Sequence, residues 1–498
     1  MNTRILKASI LLSWLAMTIW FARYEAFPGF FTQCQRGYKD LFSEGVLIRD
    51  TWVRLLFNGK PVGYSHTQVD IDEFMVSERY RTQNRTVLNL VLMGVEERIT
   101  MTADASLDVM YRLNNFEMNV SARNSDTHVA GRRLRGDVFR ITIRSGGGTT
   151  RQHVTIPDDT ILYSPVTDLA VARLKPGEQL SFKTLDPLSM RATPVTFRAI
   201  GPETIELRGT NVQARAFTVE FLGKTTRSWM STDGDILRYE TPMGMIAEAC
   251  DAREAMEAGH ASGITDDILK SLAAKSSRQI SDPKTLKRLN VRLSGAPFDN
   301  VQVESNRQKI EDRGDDYIEL TLSPQLFPER GMAIGSGTDG LEEYLKSSAF
   351  IQADHPDIRR TAASIVSGND DSLEAAQAIY EWVNQKIAKR PAPGIPSALQ
   401  VLKTREGDCN EHTYLFVALA RAARLPAKVK VGITYSRGAF YYHAWPAVFV
   451  GQWIEMDPTF GEPGVDAAHI ALFEGEFADQ LGLLQMIGSL NVEILDEE

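Results

Sequence analysis

The stretch from Thr404 to Thr459 constrains this chain more than any other part of it. It reads TREGDCNEHTYLFVALARAARLPAKVKVGITYSRGAFYYHAWPAVFVGQWIEMDPT. Leu415, Phe416, Leu419 and Ala423 follow Cys409 at helical spacing and Pro426 stops the run, so Cys409 opens a helix. Phe440 to Val450 and Trp453 to Asp457 then read as a hairpin around Gly451-Gln452. One short segment thus places a cysteine at a helix amino terminus, a histidine on one strand and an aspartate on the next. Unpaired N–H groups and the macrodipole at a helix start favour a thiolate, which is the nucleophilic form of the side chain. Cys409, His443 and Asp457 are the three chemical types such a nucleophile needs. A strict two-residue loop sets Pro446, not His443, opposite Asp457. The pairing therefore calls for a longer loop or a bulge, and Pro446 is a place for one.

Two other readings compete for these residues. A cysteine at a helix start is, taken alone, more often structural than catalytic. The rival chemistry is zinc: Cys409 and His412 stand at i, i+3 spacing, and His443 or His469 would complete a site. The chain has no paired CxxC and no HExxH, so neither a metal nor another cofactor is assigned. His412 is expected to face solvent or to hydrogen-bond beside the site. His469 is expected to be a satisfied structural histidine near the cleft.

Gly407-Asp408-Cys409-Asn410-Glu411-His412, then His443-Ala444-Trp445, then Asp457-Pro458-Thr459 resemble the motifs of the transglutaminase-like superfamily, whose fold is related to papain-type cysteine proteases. Asp466 to Ile470 is similar to a DATHI-type element of some bacterial members. The likeness runs from about residue 341 to 475. It implies an α+β catalytic domain with Cys409 as nucleophile, His443 as its base and later acid, and Asp457 orienting His443. It also implies an enzyme acting on a protein or peptide substrate through a thioester, by hydrolysis or by transfer to an amine, with hydrolysis favoured. Many members carry an acidic residue just after their His-Ala-Trp, where this chain has Pro446-Ala447-Val448. Inactive binding modules use the same fold, so an envelope scaffold is the alternative. The backbone N–H of Cys409 is a candidate oxyanion donor.

At 498 residues the chain is long enough for about three folded units. A net charge of −9 argues against a nucleic-acid binder, which needs a basic face. Arg4 and Lys7 precede an apolar run from Ala8 to Ala22, the layout of an export signal or anchor over residues 1–30. As a helix that run rises about 22 Å, short of a hydrocarbon core of about 30 Å without Ile5 and Leu6. No small-x-small site precedes Arg23-Tyr24, which favours an uncleaved single-pass anchor in the inner membrane. The positive flank keeps the amino terminus in the cytoplasm and places the bulk of the chain in the periplasm.

Residues 31–255 read as a β-rich domain. Asn58-Gly59 and Asp233-Gly234 separate apolar runs in the manner of hairpins. Phe139, Ile141 and Ile143 alternate with Arg140, Thr142 and Arg144, and Phe217, Val219 and Phe221 with Thr218 and Glu220, as in half-buried strands. Gly146-Gly147-Gly148 lacks the helix and Lys-Ser/Thr pair of a phosphate loop and reads as a turn. Residues 256–340 read as a connector with a helix near Ile264–Ala274 and strands at Asn290–Leu293 and Asp316–Leu322. The catalytic domain follows over 341–498, with Asp371 capping a helix whose buried stripe runs through Leu373, Ala376, Ile379, Val383 and Ile387. Of the three cysteines, Cys34 and Cys250 either form a bridge, if the chain is exported, or stand as two unpaired, buried small side chains.

Overall fold

The computed structural model describes residues 49–498, apart from 72–79, 93, 109–111, 124, 159, 162–169, 187–190, 242–243, 261–269, 271, 300, 302, 393 and 477–480. The amino-terminal segment, Cys34 and most of the Ile264–Ala274 helix lie outside the described residues. Among the described residues, no helix is long and apolar enough to cross a membrane. The α+β expectation needs correcting in its proportions: strands make up 51% and helices 17%, so the protein is mostly β.

Fifteen strands, from β1 (Arg49–Phe57) to β15 (Ile246–Ala249), form one sheet. Successive strands pair as neighbours outward from a central β1–β15 pair, so that β8 (Gly148–Thr155) and β9 (Thr160–Ile161) are the two edges. Laid flat, fifteen strands would hold those edges about 67 Å apart. The link from Thr155 to Thr160 reaches at most about 18 Å. The sheet must therefore curl into an incomplete barrel. Local sequence sets its turns: Asn58 (φ 49°) and Gly59 (φ 77°) are both left-handed, as a type I′ hairpin requires. Phe139, Ile141 and Ile143 are buried, while Arg140 and Arg144 reach solvent. Phe217 is buried, with Val219 and Phe221 only partly so.

Gly146 and Gly147 make the turn between β7 (Val138–Ser145) and β8. This turn docks on α4 (Ala398–Thr404), which follows α1 (Ala252–Ala258), α2 (Pro356–Ile365) and α3 (Ser372–Lys386) among the described residues. Lys403 Nζ donates to the Gly146 carbonyl at 2.8 Å, and a Cβ on Gly146 would sit 2.6 Å from the Gln400 backbone nitrogen. The glycine run is a docking turn for the carboxy-terminal domain.

A five-stranded sheet joins β16 (Lys275–Ser276), β17 (Leu289–Ser294), β18 (Gln308–Arg313) and β19 (Tyr317–Leu322) to the last strand, β26 (Asn491–Glu497). Connector and chain end thus share one sheet, across the boundary expected near residue 340. The carboxy-terminal domain has its own four-stranded sheet, in the order β24 (Trp453–Glu455), β23 (Ala439–Phe449), β22 (Ala427–Ser436), β25 (His469–Glu474). Against it lies α5 (Cys409–Ala422), buried continuously from Glu411 to Ala420. Apolar residues on nearly every side of that helix are what a central helix needs.

Candidate active site

Asp408 is the N-cap of α5. Its carboxylate accepts from Asn410 N at 3.0 Å, and Glu411 reaches back to Asp408 N at 3.1 Å. This reciprocal cap fixes Cys409 as the first helical residue. Thr413 Oγ1 donates to the Ala444 carbonyl at 3.1 Å, pinning the helix to β23 one residue beyond His443. The Ala444 backbone N–H faces the Cys409 sulfur. Cys409 is only half-buried by surface exposure, yet burial of its sulfur, with Asp408 adding, pushes the thiol well above its ordinary value despite that N–H. Here desolvation works against the helix terminus. A thiol in this setting calls for a base before it can act as a nucleophile.

The hairpin carrying the other two residues turns through three residues rather than two. Phe449 pairs with Trp453, and Ala447 with Glu455. Continued to residue 457, that register reaches Trp445, and His443 stands two residues along on the same face of β23. Asp457 lies just past β24 rather than on it. A two-way backbone bridge to Glu462 holds it, at 2.8 and 2.9 Å. His443 Nε2 meets Asp457 Oδ2 at 2.8 Å, with both side chains buried. Burial pushes the Asp457 carboxyl up, but His443 and His469 together hold it far below the usual carboxylate range. An ionised carboxylate only accepts, so His443 Nε2 carries the hydrogen and Nδ1 is left to take a proton.

Asp457 is fully engaged. Its Oδ1 accepts from Thr459 N at 2.7 Å and Phe460 N at 3.1 Å, while Oδ2 also meets His469 Nε2 at 3.3 Å. Phe460 stacks on the His443 ring at 4.6 Å and 6°, and stays 40% exposed, forming the solvent-side wall of the site. Asn384 of α3 donates to the Pro458 carbonyl at 2.7 Å. Trp445 Nε1 donates to Glu455 at 2.8 Å. Burial pushes the Glu455 carboxyl up, and Arg307, Lys430 and Trp445 pull it below its ordinary value.

The structure joins His443 to Asp457 by a hydrogen bond and sets Cys409 against the Ala444 N–H, one residue beyond His443. It does not bring His412 there. His412 is buried rather than solvent-facing, with Nδ1 donating to the Asp408 carbonyl at 2.7 Å. Among the described residues, the converging groups with the spacing of metal ligands are His443-Asp457-His469 and Glu462-Asp466-His469; neither contains Cys409 or His412. The zinc reading thus loses the pair on which it rested. The residue undervalued from sequence is His469, which shares a carboxylate oxygen with His443. Its only local signal was the Asp466–His469 spacing.

Residues 359–458 match the family model described as Transglutaminase-like superfamily. Comparison with curated proteins gives no match. Solved structures similar to the chain include a candidate cysteine protease from Cytophaga hutchinsonii, with 15% identity over 43% of this chain and 85% of that one, at a TM-score of 0.30. Another is the periplasmic domain of TgpA from Pseudomonas aeruginosa bound to ethylmercury, with 17% identity over 40% and 88%, at 0.26. Likenesses this distant carry no argument about activity. The motifs, their order and the family match converge on one stretch: residues 359–458 form a domain of the transglutaminase-like superfamily.

Proposed function

We propose that the protein is a cysteine enzyme that attacks a peptide or amide carbonyl and holds the acyl group as a thioester on Cys409. His443 Nδ1 takes the thiol proton, and Sγ adds to the carbonyl carbon. The oxygen becomes an oxyanion facing the Cys409 backbone N–H at the first turn of α5. Collapse breaks the carbon–nitrogen bond, and the leaving amine takes the proton from Nδ1. Water, or a second amine, then attacks the thioester with His443 again as base, and the thiol is restored. Asp457 keeps the imidazole in the Nε2–H tautomer throughout.

The observation that carries this reading is the buried His443–Asp457 bond at 2.8 Å, placed one residue from the backbone that meets Cys409. The basic and apolar amino-terminal run supports action outside the cytoplasm, with that segment as anchor. The test compares wild type with Cys409→Ser on a peptide library, with and without a primary amine. Cleaved peptides indicate a protease or amidase, and amine adducts a transferase. No difference between the two proteins would refute the enzyme and leave an envelope scaffold.

A further inference from the structure

His469 stands on β25, outside the trio that forms and uses the nucleophile. Its side chain is 1% exposed. Both ring nitrogens face carboxylates, Nδ1 to Asp466 Oδ1 at 2.8 Å and Nε2 to Asp457 Oδ2 at 3.3 Å. An imidazole with two carboxylate acceptors satisfies both only when both nitrogens carry hydrogen, which is the cationic form. Burial pushes its proton affinity down, but Asp457 and Asp466 raise it to about 9. The oxygen that receives His443 Nε2–H therefore also receives a second, cationic ring.

Resting on the cysteine-enzyme reading, we propose that His469 is a positioning residue. It holds the Asp457 carboxylate with Oδ2 toward His443, and its charge sets the pH range in which the Cys409–His443 pair reacts. A cation on Asp457 offsets part of the negative charge that would otherwise stabilise a protonated His443. The pair therefore titrates lower with His469 present than without it.

The surrounding charges leave His469 in control of this carboxylate. The same Asp466 Oδ1 also accepts from Ala468 N at 2.8 Å. Arg307 reaches in from the connector, but its guanidinium donates to the Asp466 and His469 carbonyls, at 2.8 and 2.7 Å, and to Glu455. Lys430 of β22 pairs with Glu455 and Glu474, and Lys284 with Glu462. Burial, with Asp457 and Glu462 adding, pushes the Tyr380 hydroxyl of α3 up to about 12, so it stays neutral. Cys409 also lies within the electrostatic reach of Asp457, which helps push its thiol up. Among the described residues, the histidines are the groups that hydrogen-bond Asp457 Oδ2.

The test reads the alkylation rate of Cys409 by iodoacetamide against pH in wild type, His443→Ala, His469→Gln and Asp466→Asn, using the full chain. Glutamine keeps a donor of similar reach toward Asp457 without the charge. Asparagine at 466 keeps an oxygen for His469 but weakens its hold on the proton. Thermal melts check that each variant is folded; if His469→Gln is not, Asp466→Asn carries the test. The expected result is a midpoint moved upward by about half to one pH unit in His469→Gln, and upward by less in Asp466→Asn. A role in packing alone would lower the melting temperature and leave the midpoint in place. Curves that overlay wild type, while His443→Ala departs from it, overturn the proposal. A His443→Ala curve that also overlays wild type overturns the cysteine-enzyme reading, and this inference with it.

Discussion

The chemistry at the residue scale rests on a single carboxylate with four donors. Asp457 takes two backbone N–H groups on one oxygen and two imidazoles on the other, which uses its acceptor capacity in full. Asp457→Asn would turn an NH₂ toward either the imidazoles or the backbone N–H pair, and each outcome sets donor against donor. Loss of Cys409-dependent turnover on the order of 10²–10⁴-fold is expected, measured on whichever peptide wild type cleaves. Stability should follow pH through the same group. His469 has a folded value of about 9, above the roughly 6.5 of a free imidazole. Its contribution is therefore complete below pH 6.5 and is lost as pH rises through 9. It amounts to about 3 kcal/mol at most. Asp457 works in the opposite sense: its folded value is depressed, so its contribution is present above the ordinary carboxylate range and is lost in acid. Melting temperature should thus peak between about pH 4 and 6.5. The decline on the alkaline side should flatten in His469→Gln, and an unchanged decline would show that another group causes it.

Elements bring these residues together through close backbone packing. In β22, Gly432 faces His443 across one ladder and Ala471 across the other, at a register shift. A Cβ there would stand 1.9 Å from the Ile470 carbonyl oxygen, a backbone atom that cannot swing aside. Gly432→Ala should push β25 off β22 and draw His469 away from Asp457. A cost of about 1–3 kcal/mol is expected by denaturant titration, together with the upward alkylation shift of His469→Gln. Much of this architecture was legible where a rule acts locally. Asn58-Gly59 specified a hairpin, Phe139-Ile141-Ile143 a buried face, and Pro426 the end of the Cys409 helix. What was not legible depends on distance along the chain. The thiol's burial comes from the packing of α5 on β23. The level at which Asp457 meets His443 came from a third loop residue, Val450, which turn chemistry alone did not distinguish from a strand end. No spacing rule connects His469 to Asp457, because the Glu462 bridge between them sets their approach.

For the molecule as a whole, the candidate site depends on a segment that reads as a connector in the sequence. Arg307 is 1% exposed in its side chain and pairs with a Glu455 carboxylate that is 3% exposed. It also donates to the carbonyls of Asp466 and His469, 159 and 162 residues away. Gln308 ties both polar groups of Ala471 to this segment, at 2.8 and 2.9 Å, and Gln325 receives Glu455 N at 3.0 Å. A chain cut to 341–498, which keeps Cys409, His443 and Asp457, would strip these groups of their connector partners. It would also leave β26 without β17, exposing the apolar side of Val492 and Ile494. Breaking the Arg307–Glu455 pair alone costs on the order of 3–5 kcal/mol, because a buried carboxylate keeps only Lys430 and Trp445. That is much of the stability of an ordinary domain. The 341–498 fragment should therefore lack a cooperative melt and His443-dependent alkylation of Cys409, whereas a 275–498 fragment, which keeps both sheets, should regain them. Arg307→Met separates the two causes: its side chain fills similar volume without the charge, so the full chain should fold with a lowered melting temperature and reduced alkylation. A folded, reactive 341–498 fragment would show that the catalytic unit needs nothing from the connector.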